Sequence, residues 1–131
     1  MSEPVAKRGD RVVGIDTHIV QITSPGGPVP TPIPLPFSGP ITDNLSSTVF
    51  IDNEPAVIVG SVAHNRPPHI PTGGPFQRSP SNRATVDAGS ATVFAGNHAL
   101  ARNGDPATCC NDPSDAQTGH VMVGTGTSFS G

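Results

Sequence analysis

Pairs of short apolar runs, separated by a polar turn and ended by glycine, recur along this chain. One runs over residues 47–60 and a similar one over residues 91–104. Each contains Thr-Val-Phe, then a turn at Asp52-Asn53 or Gly96-Asn97, then a second apolar run that ends at glycine. Asn, Asp and Gly supply the positive φ angles that tight hairpin turns require. Both stretches are therefore predicted to form β-hairpins.

A third copy of this pattern is divided between the two ends of the chain. Residues 3–9 match the second strand of the hairpin, and residues 124–131 match the first strand. We expect the termini to meet and close a ring of three hairpins, which leaves fewer exposed sheet edges. The expected fold is all-β: a conical, pseudo-threefold arrangement of short hairpins joined by long Pro/Gly-rich loops, in one domain over residues 1–131.

The first long loop contains a segment, Pro28–Phe37, with proline at every second position. Proline fixes φ and has no N–H donor, so extended chain is predicted here. A period of two places the prolines on one side and Val29, Ile33, Leu35 and Phe37 on the other. A ligand for a proline-binding module is one interpretation; a stiff segment packed along the body of the domain is favoured.

Composition changes the picture of the core. The chain has 16 Pro, 15 Gly, five Phe, and neither Trp nor Tyr among 131 residues. Long helices are disfavoured, and the hydrophobic core must be thin. A structural metal ion is one device that stabilises such a domain.

Charge and targeting signals restrict the partners. The formal net charge is −3 with a single lysine and no basic run, which makes nucleic acid an unfavourable partner. The first residues lack the apolar core of a signal peptide, and no stretch approaches the length of a membrane span. We expect synthesis and assembly in a reducing cytoplasm, where the adjacent Cys109 and Cys110 favour metal binding over a disulfide.

Three histidines have equal spacing. His18, His69 and His120 are 51 residues apart, and each is followed by Ile or Val. Together with one thiolate they would make a tetrahedral zinc site, and we nominate Cys110, with Cys109 as its substitute. Surface loop histidines are the competing interpretation, and His64 could replace a nominated ligand.

The remaining histidine and the known catalytic motifs add little. His98 falls at a predicted hairpin tip and is expected to be exposed. The sequence has no Gly-x-Ser-x-Gly elbow and no Gly-rich phosphate loop. We expect no enzymatic activity. The alternative is a small zinc hydrolase in which His18, His69 and His120 hold zinc and water is the fourth ligand.

The hairpin repeats resemble those of the proline-alanine-alanine-arginine repeat (PAAR) family. The family pattern, Pro-Ala-Ala-Arg-x-Gly-Asp, has imperfect copies here at residues 4–10, 55–61 and 99–105, and the second copy lacks both Arg and Asp. Members of this family cap the spikes of contractile injection machines, such as type VI secretion systems, extracellular injection systems and phage-like tails. The segment Cys110-Asn111-Asp112-Pro113 also resembles the single-cysteine loop of phage-like and extracellular members.

This resemblance implies a fold, a metal and a partner. It implies a sharp β-cone that holds one structural Zn²⁺ near its apex through three histidines and one cysteine. It also implies that the wide base sits, as a monomer, on the threefold axis of a trimeric β-helical spike protein of the valine-glycine repeat type. The tip would help to pierce a target envelope, with transient membrane contact, after delivery as part of the particle. Many relatives carry toxin extensions; no effector domain is expected within these 131 residues.

Overall fold

The computed structural model describes residues 3–124 and 129–130, and within them every regular element is a β-strand. The all-β prediction is confirmed. Nothing in these two ranges forms a helix long and apolar enough to cross a membrane. The strands are β1 (Glu3–Pro4), β2 (Arg11–Ile22), β3 (Val29–Asp43), β4 (Phe50–Ile51), β5 (Glu54–Pro55), β6 (Val62–His64), β7 (Arg83–Val86), β8 (Phe94–Ala95), β9 (His98–Ala99), β10 (Pro106–Cys109), β11 (Ala116–Met122) and β12 (Phe129–Ser130).

Six strands close into an antiparallel barrel in the order β10-β11-β2-β3-β6-β7, and β7 pairs back onto β10. The longest ladder joins β2 to β3, from Arg11 opposite Pro40 to Ile22 opposite Val29. The proline-rich segment, predicted to be an extended loop, is therefore extended but is also a paired strand. Its alternation is as predicted: Pro30, Pro32, Pro34 and Pro36 are exposed, whereas the residues between them are more buried from position 31 onward.

The parity of the prolines explains how this strand pairs. Ser38 donates its N–H to Asn65 Oδ1 at 3.0 Å and accepts at its carbonyl from Arg66 N at 3.1 Å, on the side of β3 away from β2. In an antiparallel strand, every second residue directs both its N–H and its C=O group to the same edge of the strand. The even-numbered prolines therefore direct their nitrogens to this free edge. Between residues 30 and 36 the edge presents carbonyl groups but no N–H donor, which disfavours the addition of another strand.

Three two-stranded hairpins lie outside the barrel: β4–β5, β8–β9 and β1–β12. Asp52 and Asn53 have φ angles of 50° and 66°, and Gly96 has 64°, as the turn chemistry predicts. Strand β1 pairs with β12 through Glu3 opposite Ser130 and Pro4 opposite Phe129, so the predicted meeting of the chain ends is confirmed. Residues 125–128 and 131 of the predicted terminal strand lie outside the described residues.

The three hairpins are joined to one another by a closed ring of backbone hydrogen bonds. Ala6 N donates to Ala101 O at 2.9 Å, Ala101 N donates to Val57 O at 2.9 Å, and Val57 N donates to Ala6 O at 3.0 Å. The three residues are completely buried. Each hairpin thus both donates to one neighbour and accepts from the other, and no member of the ring is left as an open edge.

The core consists mainly of small side chains. Five alanines belong to the main cluster of the barrel, and Phe37 and Ile41 are its largest members. A second, smaller cluster under the hairpins contains Val5, Ala56, Ile58, Ala95 and Leu100. Small side chains bury little area each, so packing alone stabilises this domain modestly.

The proline edge of β3 generates a test. Replacing Pro32 and Pro34 together by Thr restores two N–H donors on an exposed edge, and we expect concentration-dependent self-association through strand addition. Analytical ultracentrifugation over a range of concentrations measures it. The matched control is Pro25→Thr in the exposed turn before β3, which adds a donor away from the edge. A double variant that stays monomeric like this control would contradict the interpretation.

Candidate metal centre

The inward face of β2 carries polar residues where a barrel interior is usually apolar. Side chains alternate along a strand, and Val12, Asp16, His18 and Val20 are all buried on the same side. The exposed fraction is 0% for Asp16 and 1% for His18. Buried ionisable groups carry a large desolvation cost unless they are paired or bind a metal, so this face requires a specific partner.

Asp16 and His18 meet two further donors, His69 and Cys110. The ligand atoms of these four residues all lie within 4.8 Å of one another. His69 Nε2 lies 2.8 Å from Asp16 Oδ2, and Cys110 Sγ lies 3.4 Å from the same oxygen. The ring centroids of His18 and His69 are 5.0 Å apart. Such a buried group of nitrogen, oxygen and sulfur donors is close enough to bind one metal ion.

Backbone hydrogen bonds hold the cysteine loop against β2. Thr17, between the two donors of β2, donates its N–H to Asn111 Oδ1 at 2.7 Å and accepts at its carbonyl from Asp112 N at 2.9 Å. Arg78 reinforces the loop from outside, donating to the carbonyls of Asn111 and Pro113. Cys110 is thereby fixed relative to Asp16 and His18.

His69 is positioned by two asparagines in the loop that follows β6. Its backbone N–H donates to Asn82 Oδ1 at 2.8 Å, and Asn65 Nδ2 lies 3.2 Å from its Nδ1. The ring of Phe37 packs edge-on at 6.3 Å between centroids. Both ring nitrogens of His69 therefore have a polar neighbour.

His18 is the exception in this polar cluster. Neither of its ring nitrogens has a hydrogen-bond partner among the described residues, although both are buried. Burial lowers the pKa of His18, and the neighbouring His69 lowers it further. A lowered pKa favours the neutral ring, which is the form that binds metals. Two buried nitrogens without a partner are unusual in a folded protein, and a metal ion would satisfy one of them.

The two cysteines occupy different environments. Burial raises the pKa of Cys110 to about 11 and that of Cys109 to about 12, and Asp16 adds to both shifts. Cys109 faces β11, where a Cβ built on Gly119 would lie 2.5 Å from its Sγ. Cys110 is the cysteine that reaches the cluster. A metal ion bound there would displace its thiol proton, so metal binding would weaken as pH falls.

The structure brings together three of the four nominated ligands: His18, His69 and Cys110. His120 lies outside the cluster, exposed on β11, and Asp16 is the fourth donor. The reason is strand alternation, because Gly119 and Val121 face the core and His120 must point outward. His64, considered as a substitute ligand, instead pairs with Asp43 at 2.6 Å near the surface.

Two further outcomes concern residues outside the cluster. His98 is exposed on β9, which confirms the expectation for a hairpin tip. Asp16 was not among the sequence-predicted ligands. Its signal is nevertheless present, since an acidic residue two positions before a histidine shares its face of a strand. Finding it required the assignment of residues 11–22 as a strand with a buried face.

This chain matches no protein-family model, no curated protein and no solved structure. The resemblance to the PAAR family therefore rests on the sequence repeats alone. Function has to be inferred from the fold and from the four-donor cluster.

The cluster predicts opposite effects for Asp16 and His120. Asp16→Ala should abolish stoichiometric metal binding, whereas His120→Ala should leave it unchanged because its side chain is exposed. At about 100 times Kd, free metal stabilises a fold by about 2.7 kcal/mol, or about 10 °C in Tm for a domain of this size. Metal analysis and thermal melts with and without chelator measure both effects. A chelator-sensitive Tm in the Asp16→Ala variant would contradict this assignment.

Proposed function

We propose that this protein is the tip of a contractile injection machine, a zinc-stabilised cone that caps a trimeric β-helical spike. The observation that carries the proposal is the closed hydrogen-bond ring of Ala6, Val57 and Ala101. Three segments of one chain occupy equivalent places in that ring. A single chain with three similar faces fits a partner with threefold symmetry, whereas an asymmetric surface would match only one of its subunits.

Equivalent contacts continue from the ring towards the barrel and support a pseudo-threefold cone. Gly9, Gly60 and Gly104 have φ angles of 94°, 97° and 90°, where glycine is the favoured residue. Their N–H groups donate to Ile41, Val86 and Val121, which lie at or near the ends of barrel strands. The same turn thus connects each hairpin to the barrel, despite the weak sequence identity among the three copies.

The hairpin end of the molecule is the candidate base. Phe50 and Phe94 occupy matching positions in β4 and β8, and their exposed fractions are 56% and 54%. Val93, beside Phe94, is also exposed. Exposed aromatic residues at repeated positions are typical of protein–protein contacts. We assign this surface to the spike.

Zinc is the metal that this donor set favours. Imidazole nitrogen, thiolate and carboxylate oxygen are all zinc ligands, and four protein donors make a closed, structural site. His18 and His69 would hold the ion with Cys110 and Asp16. The donors follow the three repeat glycines: Asp16 and His18 come after Gly9, His69 after Gly60 and Cys110 after Gly104. One ion would therefore tie together all three repeats.

Two segments beside the cluster, residues 12–42 and 67–77, support transient contact with a membrane during piercing. Residues 12–42 contain only Asp16 and His18 as ionisable side chains, and both are buried. Residues 67–77, which pair with the far half of β2 through Gln21 and Gln77, contain only His69. These two segments expose no charged side chain and so avoid the desolvation cost of entering an envelope. We infer cytoplasmic assembly followed by delivery as part of the particle.

The hydrolase alternative has no observation in its favour. It requires His120 beside His18 and His69, and His120 is exposed on β11. The four donors that do meet would leave no position for a catalytic water.

Cobalt substitution tests the metal site. The Co²⁺ form should give an intense tetrahedral visible spectrum and a thiolate charge-transfer band, and Cys110→Ser should abolish the band. Cys109→Ser is the matched control and should retain it. Added anions should not change the spectrum of the unmodified protein or of Cys109→Ser, because four protein donors close the site. A spectrum that depends on anions but not on Cys110 would favour an open, hydrolytic site and contradict the structural role.

Binding to a spike tests the functional proposal directly. We expect one chain to bind per trimer when the protein is titrated against trimeric β-helical spike proteins of the valine-glycine repeat type. Phe50→Asp with Phe94→Asp should weaken this binding at least about ten-fold, because charges would enter an apolar contact. Met122→Asp, an exposed change on the barrel, is the control. Failure of every spike to bind the unmodified chain, in the presence of zinc, would overturn the proposal.

A further inference from the structure

Both ring nitrogens of His18 are buried without a hydrogen-bond partner, and a metal ion would bind only one of them. An ion binds one nitrogen of a neutral imidazole, and the other nitrogen then carries a proton. In the structure neither ring nitrogen of His18 is hydrogen-bonded to a described residue, so that N–H would need an acceptor that is still unpaired. A buried donor without a partner destabilises the folded state. His69 does not share this problem, because Asn65 and Asp16 lie beside its two nitrogens.

One buried acceptor nearby is also without a partner. Asp112 is 7% exposed, and its Oδ2 forms no hydrogen bond within the described part of the chain. The side-chain atoms of His18 and this oxygen are the only buried polar side-chain atoms left unpaired in that part of the chain. The two unpaired groups therefore complement each other. A bound metal would leave an N–H donor on His18, and Asp112 offers an acceptor.

The backbone of Asp112 lies against the strand that carries His18. Asp112 N donates to the carbonyl of Thr17, which belongs to the peptide group that links Thr17 to His18. Asp115, three residues further along the same loop, is instead exposed and pairs with Arg78.

We propose that Asp112 is a positioning residue for the metal centre, which accepts a hydrogen bond from the non-ligating N–H of His18. The inference rests on the zinc site proposed above and names a residue outside the four donors. Such a carboxylate fixes the tautomer and the orientation of the ring and makes it a stronger ligand. It also gives the buried Asp112 oxygen its missing partner.

The test uses the full chain with Asp112→Asn, which preserves the size of the side chain, and Asp112→Ala. Asp115→Asn is the matched control on the same loop. Competition with a chromophoric chelator should show zinc affinity reduced about ten-fold or more in both Asp112 variants and unchanged in the control. The second readout is the imidazole ¹H–¹⁵N spectrum of the zinc-loaded protein. The unmodified chain should show a protected, downfield N–H of His18 that shifts upfield or exchanges rapidly in both Asp112 variants.

The outcomes separate this inference from the proposed function. Zinc affinity and the His18 N–H signal at their unmodified values in both Asp112 variants would overturn the positioning role, leaving the zinc site and spike binding intact. Absence of zinc from the unmodified chain would overturn the metal site and this inference together, whatever the spike experiment gives. If Asp112→Ala does not fold, Asp112→Leu takes its place, because Leu has a similar size and no acceptor, whereas the amide oxygen of Asn can still accept a hydrogen bond.

Discussion

The constraint on which this structure depends is the burial of Asp16 and His18 in a barrel of small side chains. The core contains several alanines and one large aromatic residue, Phe37, so it contributes limited hydrophobic stabilisation. Two ionisable groups on the same inward face add a desolvation cost that a core of this size offsets poorly. The other elements near β2 are arranged to compensate these groups, with His69 and Cys110 brought from distant segments of the chain.

The need to partner Asp16 and His18 explains why two loops without regular secondary structure are fixed by specific hydrogen bonds. The loop after β10 is fixed by the two backbone hydrogen bonds of Thr17, and Arg78 holds its outer side. The loop after β6 is fixed through Asn82. Each of these contacts acts on a donor or on the residue beside one. The long segments between hairpins are therefore scaffolding for one buried cluster, and the hairpin ring closes the opposite end of the barrel.

Local chemistry predicted the hairpins because their turns depend on adjacent residues such as Asp52 and Asn53. The pairing of β2 with β3 was not predicted, since proline usually argues against a strand. Here the prolines occupy every second position, so their nitrogens all lie on the edge of β3 that does not pair with β2. The equal spacing of the three histidines was misleading. His18 lies in the middle of a strand, His69 lies in a loop and His120 lies on an outer face, so equal separation did not mean equivalent position. Asp16 became recognisable as a donor only when the alternation of β2 was known.

Asp16 stands in the cluster where the sequence predicted a third histidine, His120. A carboxylate in that place lowers the net charge that a metal-bound cluster would bury. Three histidines and one thiolate around a divalent ion would leave one positive charge buried. With Asp16 and a deprotonated Cys110, two anionic donors would neutralise a bound divalent ion, and a neutral complex costs far less to bury than a charged one. Asp112 then adds one negative charge to the loop after β10, and Arg78, from the segment between β6 and β7, donates to the carbonyl of Pro113 on that loop. The carboxylate at position 16 is thus the donor that a closed site in this small core requires.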